Sequence, residues 1–405
     1  MSSSSRGVAA GFVLLCAAWY GRVTVAQVLP SLGKPSDFSM YYQAAQNVAA
    51  GKSPFVTEGY IYPPLLAELL ASLAQAPYES ARWIWFLFSQ ACLLAAAWLM
   101  WKALGRDWLA ACVIALVWAL GGAAVESLAL GQPGPVLALL LAIAYSQAGW
   151  RQTSAAGIGL AVKLIPGIVA VAFLLRKQWR AMAVFAGVSV VLLAAPWLVV
   201  MCCLEGPRAP EGTATWTGTP AILSWSLPSV VLRAVGPRPE QGGPLPQDWE
   251  SGNDLPHLHL PASRRWLSIA IAAAVLLIGI GVLARAGIPA DATPLAMAAL
   301  VSLALAASPV SWTHYQVLQY PSVALLLVHA VRRQSWGSMA AVLALGALLY
   351  PLPVGVLAEY YMKYGKWTES LATFYFWDSI APFASLGLFW LFVREIKQPR
   401  VLAVS

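Results

Sequence analysis

Residues 151–177 read RQTSAAGIGLAVKLIPGIVAVAFLLRK, an apolar run closed by basic residues at both ends. Its length suits a bilayer crossing, which takes about 20 apolar residues, but Gly157, Gly159, Lys163, Pro166 and Gly167 interrupt it. Broken helices at membrane depth are tolerated only where protein buries them or they line a cavity. Arg151 before the run and Arg176-Lys177 after it both favour the cytoplasmic side, which a single crossing cannot satisfy. The stretch therefore predicts a hairpin of two short helices over 153–175, its tip near Lys163 and Pro166 reaching toward the outer side.

Outward from that hairpin, apolar stretches long enough to cross lie at 7–29, 83–104, 107–125, 133–149, 179–203, 264–286, 292–309, 314–331, 336–356 and 371–393. Of the 405 residues 60% are hydrophobic and only 10% charged, where a soluble globular chain carries about a quarter charged, so an ordinary soluble enzyme is excluded. The reading is a single all-α polytopic membrane domain over 1–405 with about 10–12 transmembrane or half helices. Residues 7–20 imitate a signal-peptide core, but no small-residue cleavage site follows, so they are read as an uncleaved first span.

Orientation follows from the basic residues. With the N-terminus inside, Arg6, Lys102, Arg106, Arg151, Arg176, Lys177, Arg180, Arg285, Arg332, Arg333, Arg394, Lys397 and Arg400 face the cytoplasm, accompanied only by Asp107, Asp291 and Glu395. The short loops then obey the positive-inside rule and both termini are cytoplasmic. The net charge of +8 is thus a matter of topology. No basic stripe interleaved with aromatics supports nucleic-acid binding. Cys16, Cys92, Cys112, Cys202 and Cys203 all fall in apolar runs without CxxC spacing, which reads as inert thiols.

Two outer loops are long. In 30–82, Phe38, Tyr41, Ala45 and Val48 stand at helical spacing, and a second helical stretch runs from Leu65 to Ala76 after Tyr62-Pro63-Pro64; both are expected to be interfacial helices. Loop 204–263, rich in Pro and Gly, is expected to be irregular.

The same topology gathers polar residues at the outer surface. Asp37 opens a helical stretch: it reads either as an N-cap or as a general base for a hydroxyl. Lys163 either snorkels to the headgroups or binds a phosphate as a compact charge. His314 follows Ser308-Pro309-Val310-Ser311-Trp312-Thr313, as a structural residue or a site residue. Glu126 and Gln132 close a short turn and are weaker candidates, while Trp312 and Tyr62 stand where a sugar ring would stack. His257, His259 and His329 form no metal-ligand set with His314.

Asp37 to Ala45, Ala50-Gly51-Lys52-Ser53-Pro54-Phe55 and Tyr62-Pro63-Pro64-Leu65 resemble the first outer loop of glycosyltransferase family 87, and Gly131-Gln132, Gly157 to Pro166 and Ser308 to Tyr315 agree with it. The resemblance spans roughly residues 8 to 330. It implies the GT-C fold and an inverting transfer on the extracytoplasmic face of a bacterial plasma membrane. The donor, a substrate rather than a cofactor, would be a polyprenyl-phosphate mannose and the acceptor a glycolipid or glycan. By resemblance Asp37 is the base and His314 lies beside donor or acceptor. From charge and placement, Lys163 with His314, Arg264 or Arg265 would stabilise the departing phosphate. No Asp-Asp or Asp-x-Asp pair lies near Asp37, so no cofactor or metal is called for. Other readings stay open: a transporter or flippase of a lipid-linked or anionic substrate, which would need polar groups along a through-going path, and a membrane scaffold in which these residues only cap and snorkel.

Overall fold

The computed structural model describes residues 3–209, 226–235, 262–308, 311–349 and 367–398. The described residues form helices and turns; the β pairing that stands by itself is a bridge from Lys52 to Glu205. The helices are α1 (Ser3–Val23), α2 (Asp37–Ala49), α3 (Pro64–Leu70), α4 (Tyr78–Ala103), α5 (Trp108–Ala119), α6 (Gly122–Leu130), α7 (Gly134–Ser146), α8 (Trp150–Val162), α9 (Ala170–Leu175) and α10 (Trp179–Cys202). They continue as α11 (Leu227–Val235), α12 (Ala262–Ala286), α13 (Thr293–Ala307), α14 (Tyr320–Arg332), α15 (Trp336–Leu348) and α16 (Trp367–Ile396).

By length and composition five helical stretches among the described residues can cross a membrane: Ser4–Ser31, Tyr78–Ala103, Trp179–Cys202, Trp266–Ala286 and Ala290–Ala307. A sixth candidate is the pair α5 and α6, bent by 53°. Of the ten apolar runs, 7–29, 83–104, 179–203, 264–286 and 292–309 fall largely in those five stretches and 371–393 in the 30-residue α16, while shorter or bent helices occupy the rest. The run 133–149 holds the 13-residue α7, 314–331 divides into a 3-10 turn Thr313–Gln319 and α14, and 336–356 begins with the 13-residue α15, its end lying outside the described residues. Hydropathy averages over a window and does not register a Gly or Pro that bends the chain inside it.

Burial sorts these helices. The stretch ending α13 is 83% buried, and its Ala-rich sequence, TPLAMAALVSLALAA, lets α12, α16 and α9 approach closely. The spans of α1, α10 and α12 are only 17–22% buried and turn Leu14, Val190 and Leu277 outward, as lipid-facing helices do. Around α13, α4 packs on α7, α8 on α10, and α14 on α5 and α15.

The hairpin stretch resolves into α8, a break at Lys163, a 3-10 turn Ile165–Val169 and α9. In the first loop α2 buries Phe38, Tyr41, Ala44 and Ala45. The second helical stretch is shorter than its periodicity predicts: α3 stops at Leu70 and a 3-10 turn follows at Leu73–Gln75. In 204–263, α11 interrupts the expected irregular loop; residues 210–225 and 236–261 lie outside the described ones.

The bend between α5 and α6 leaves no room for a side chain at Gly121. A Cβ on Gly121 would sit 2.1 Å from the Tyr320 hydroxyl, which accepts a hydrogen bond from the Ala124 N–H at 3.0 Å; the Tyr320 ring is buried edge-on against Trp118. Gly121→Ala is expected to cost about 1–3 kcal/mol, as overpacking of a filled core does. A lowered unfolding midpoint in detergent checks it, against Gly187→Ala, whose Cβ would meet nothing within 4 Å and which should unfold no earlier than the parent.

At the far end of the 26-residue α4, about 39 Å along the helix, Arg332 bonds the Leu104 carbonyl and meets Asp107 at 2.7 Å. There too His329 Nε2 of α14 lies 3.1 Å and Arg333 Nη1 3.6 Å from the buried Glu395 Oε2 of α16. These pairs tie the helix ends together roughly a bilayer's thickness from the site built below.

Candidate functional site

The site begins with a helix stop. Helix α6 ends at Gly131, whose φ of +71° is a left-handed conformation that glycine adopts at no steric cost. The Gly131 N–H returns to Leu128 O at 3.2 Å and the Gln132 N–H to Ser127 O at 2.8 Å, a Schellman closure, and Pro133 bars any continuation. This corner aims the Gln132 side chain at α2.

Gln132 is the hub. Its Nε2 donates to Asp37 Oδ2. Its Oε1 accepts from the hydroxyls of Tyr41 at 2.9 Å and Tyr62 at 3.1 Å, which themselves lie 3.0 Å apart. Lys163 Nζ donates to the Tyr62 hydroxyl at 3.1 Å. One directed chain thus runs from the ammonium of Lys163 through Tyr62 and Gln132 to the carboxylate of Asp37.

Asp37 occupies the first position of α2. The N-cap position is Ser36, whose side chain makes no cap bond, so the capping alternative for Asp37 is not what the structure shows. The carboxyl is half-buried. Burial raises it above its ordinary titration range, while the hydrogen bond from Gln132 and the charge of Lys163 draw it partway back. Burial raises the phenols of Tyr41 and Tyr62 as well, so both stay protonated as donors.

Lys163 stands at the break after α8, in extended conformation, its N–H on Gly159 O at 2.9 Å. Its ammonium turns inward to lie 3.5 Å from the centroid of the Tyr315 ring and 5.0 Å from that of Tyr62, a cation–π arrangement rather than the snorkelling alternative. Tyr315 joins the halves of the site, because its other neighbour is the His314 ring, edge-on at 4.8 Å. His314 is buried, with Nδ1 3.9 Å from Glu126 Oε1, an oxygen that also accepts from Thr313 Oγ1. The His314 Nε2 is buried without a partner.

Six of the residues picked from sequence, Asp37, Tyr62, Glu126, Gln132, Lys163 and His314, therefore meet in one cluster drawn from four separated segments. Trp312 is half-buried one residue before Thr313 and takes no part in these hydrogen bonds and ring contacts. Arg264 and Arg265 belong to the first turn of α12, but their side chains are outside the described residues. Nothing local in the sequence marks Tyr41, Thr313 or Tyr315 as site residues: Tyr41 falls on the apolar face of its helix, and Tyr315 has no signal beyond adjacency to His314. Among the described residues no three of His, Cys, Asp and Glu are grouped so as to hold a metal ion.

Residues 60–229 match the sequence profile of glycosyltransferase family 87. A polyprenol-phosphate-mannose-dependent alpha-(1-2)-phosphatidylinositol pentamannoside mannosyltransferase of Mycolicibacterium smegmatis is 26% identical over 314 residues, an alignment covering 73% of this chain and 69% of that one. The matched region contains Tyr62, Glu126, Gln132 and Lys163.

Proposed function

We propose, from the premise that this chain is an integral membrane glycosyltransferase carrying a family 87 region, that it moves a mannosyl residue from a polyprenyl-phosphate donor to a glycolipid or glycan acceptor on the extracytoplasmic face of a bacterial plasma membrane. The observation that carries the reading is the directed chain from Lys163 to Asp37, which sets a cation and a carboxylate at one end of the helical bundle. The similar mycobacterial enzyme is named for a polyprenol-phosphate-mannose donor and a mannosylated inositol lipid. That name supports the sugar and the lipid class of the acceptor.

The proposed chemistry inverts the anomeric carbon. Asp37 takes the proton of the acceptor hydroxyl, the oxygen attacks the anomeric carbon opposite the phosphate, and the bond from that carbon to the phosphate oxygen breaks with its electrons on the leaving polyprenyl phosphate. Lys163 stabilises the added charge, with His314 Nε2 as a second polar contact for donor or acceptor. A phosphate departs without protonation, so one carboxylate suffices. Because the tail of the donor lies among the helices and its sugar at their end, a site at the headgroup boundary suits both parts.

The test is transfer of radiolabelled mannose from a short-chain polyprenyl-phosphate mannose to extracted membrane glycolipids by purified protein in liposomes. Labelled product with inverted anomeric configuration is expected. Retention of configuration would overturn the single displacement, and absence of transfer from any polyprenyl-phosphate hexose would overturn the donor class.

A further inference from the structure

Arg82, near the start of α4, is the largest of the fully buried side chains, with 0% exposure, yet none of the described ion pairs includes it and its Nε and Nη1 have no hydrogen-bond partner. A buried cation without a carboxylate is costly, so the contacts it does make are informative. Arg82 Nη2 donates to Leu128 O and Ala129 O, both at 2.7 Å, carbonyls of the last turn of α6, where a cation complements the helix dipole. The same guanidinium lies 5.5 Å from the ring centroid of Phe38. Three residues on, and so on the same face of α4, Trp85 donates its indole N–H to Gly131 O at 2.8 Å and stacks on Phe38 at 6.0 Å. No slack remains between the parts: a Cβ on Gly131 would sit 2.6 Å from Phe38 Cβ and 3.2 Å from Arg82 Cζ.

Phe38 and Gly131 are the chain neighbours of Asp37 and Gln132. Whatever fixes the first pair fixes the distance between the carboxylate and the amide that orients it. We propose that Arg82 and Trp85 form a clamp that positions the Asp37 carboxylate for proton transfer, acting through Phe38 and the Gly131-Gln132 corner without touching substrate. The proposal rests on the reading of Asp37 as the base.

Two variants separate the clamp from mere packing. Trp85→Phe keeps an aromatic ring beside Phe38 and removes the N–H to Gly131; Arg82→Lys keeps the charge and removes the fork on Leu128 and Ala129. Misplacing a catalytic group by about 1 Å costs up to about a hundredfold in rate, so a drop in kcat of about tenfold is expected for Trp85→Phe and a larger one for Arg82→Lys. The KM for donor should stay within about twofold, since neither residue meets the donor in the proposed scheme. The acid limb of the pH–rate profile should move as well, because the hydrogen bond to the base has changed. Arg82→Met, which removes the charge, should lose more activity than Arg82→Lys.

Asp37→Asn is run beside them. If it is inactive while folded Trp85→Phe and Arg82→Lys keep wild-type kcat and pH profile, the clamp is wrong and the base reading stands. A loss of kcat that only follows the loss of folded protein, with the acid limb unmoved, also overturns the clamp. Wild-type activity in Asp37→Asn overturns the base reading and the clamp with it. Should Arg82→Lys fail to fold, the milder Trp85→Phe decides.

Discussion

Asp37→Asn is expected to lower the rate of transfer by about 10³-fold, the middle of the range for removing a positioned general base, in a protein that folds as well as its parent. The amide retains an oxygen to accept from Gln132 Nε2, so the network of Gln132, Tyr41, Tyr62 and Lys163 survives. Stability should not fall. Burial raises the titration of Asp37, so the fold disfavours the charged form, and a neutral isostere relieves that penalty at neutral pH. Steady-state transfer and the thermal midpoint, measured on one preparation, should therefore diverge, with activity nearly lost and the midpoint equal or higher. A variant as active as wild type would remove Asp37 from the chemistry.

The same shift predicts the pH profile. The base works ionised, so kcat/KM rises as pH rises through the titration of Asp37. Because burial lifts that titration, the acid limb should lie above an ordinary aspartate's value of about 4. In Asp37→Asn the residual activity should lack this limb. A wild-type limb at or below the ordinary value would count against the buried carboxylate as the titrating group.

Much of the site was legible because each part announces itself locally. A break in an apolar run marks Lys163, a polar residue at the start of an aromatic helical stretch marks Asp37, and a Gly followed by a Gln and a Pro marks the corner of Gln132. Their meeting was legible only through topology, since three apolar runs and the first arm of the hairpin separate Asp37 from Lys163 in sequence. The connecting chemistry was not. That Tyr62 links Lys163 to Gln132, or that Arg82 bonds the end of α6, depends on contacts across roughly 45 to 100 residues, and no periodicity encodes them. Arg82 closes the first outer loop, one residue before the span 83–104, and nothing local marks it as buried; here it is fully buried. The bend between α5 and α6 was not legible for a related reason: Gly121 and Gly122 are too brief to lower a windowed hydropathy, yet the two helices meet there at 53°.

Lys163→Met should carry the second large effect, and on the donor side. The ammonium is held by one hydroxyl and one aromatic face, at 3.1 Å from Tyr62 and 3.5 Å from the Tyr315 centroid, and neither contact neutralises it. An incoming phosphate supplies a countercharge in direct contact, where Asp37 acts on the ammonium only from the far end of the hydrogen-bonded chain. Because charge on that phosphate grows as the bond to the sugar breaks, the interaction strengthens toward the transition state, and removing it should cost about 10²–10³-fold in kcat/KM for the donor. Acceptor KM should stay within about twofold. Folding should not suffer, since methionine matches the stem and ends the burial of a charge. Lys163→Arg keeps the charge but must fit a planar fork between Tyr62 and Tyr315, so partial activity is expected. Initial rates over a donor series, with equilibrium binding of the product polyprenyl phosphate to each variant, test the assignment. Donor kinetics and product affinity unchanged in Lys163→Met would return Lys163 to a structural role. Weaker product binding with an unchanged kcat would instead make it a binding residue that contributes equally to ground and transition states.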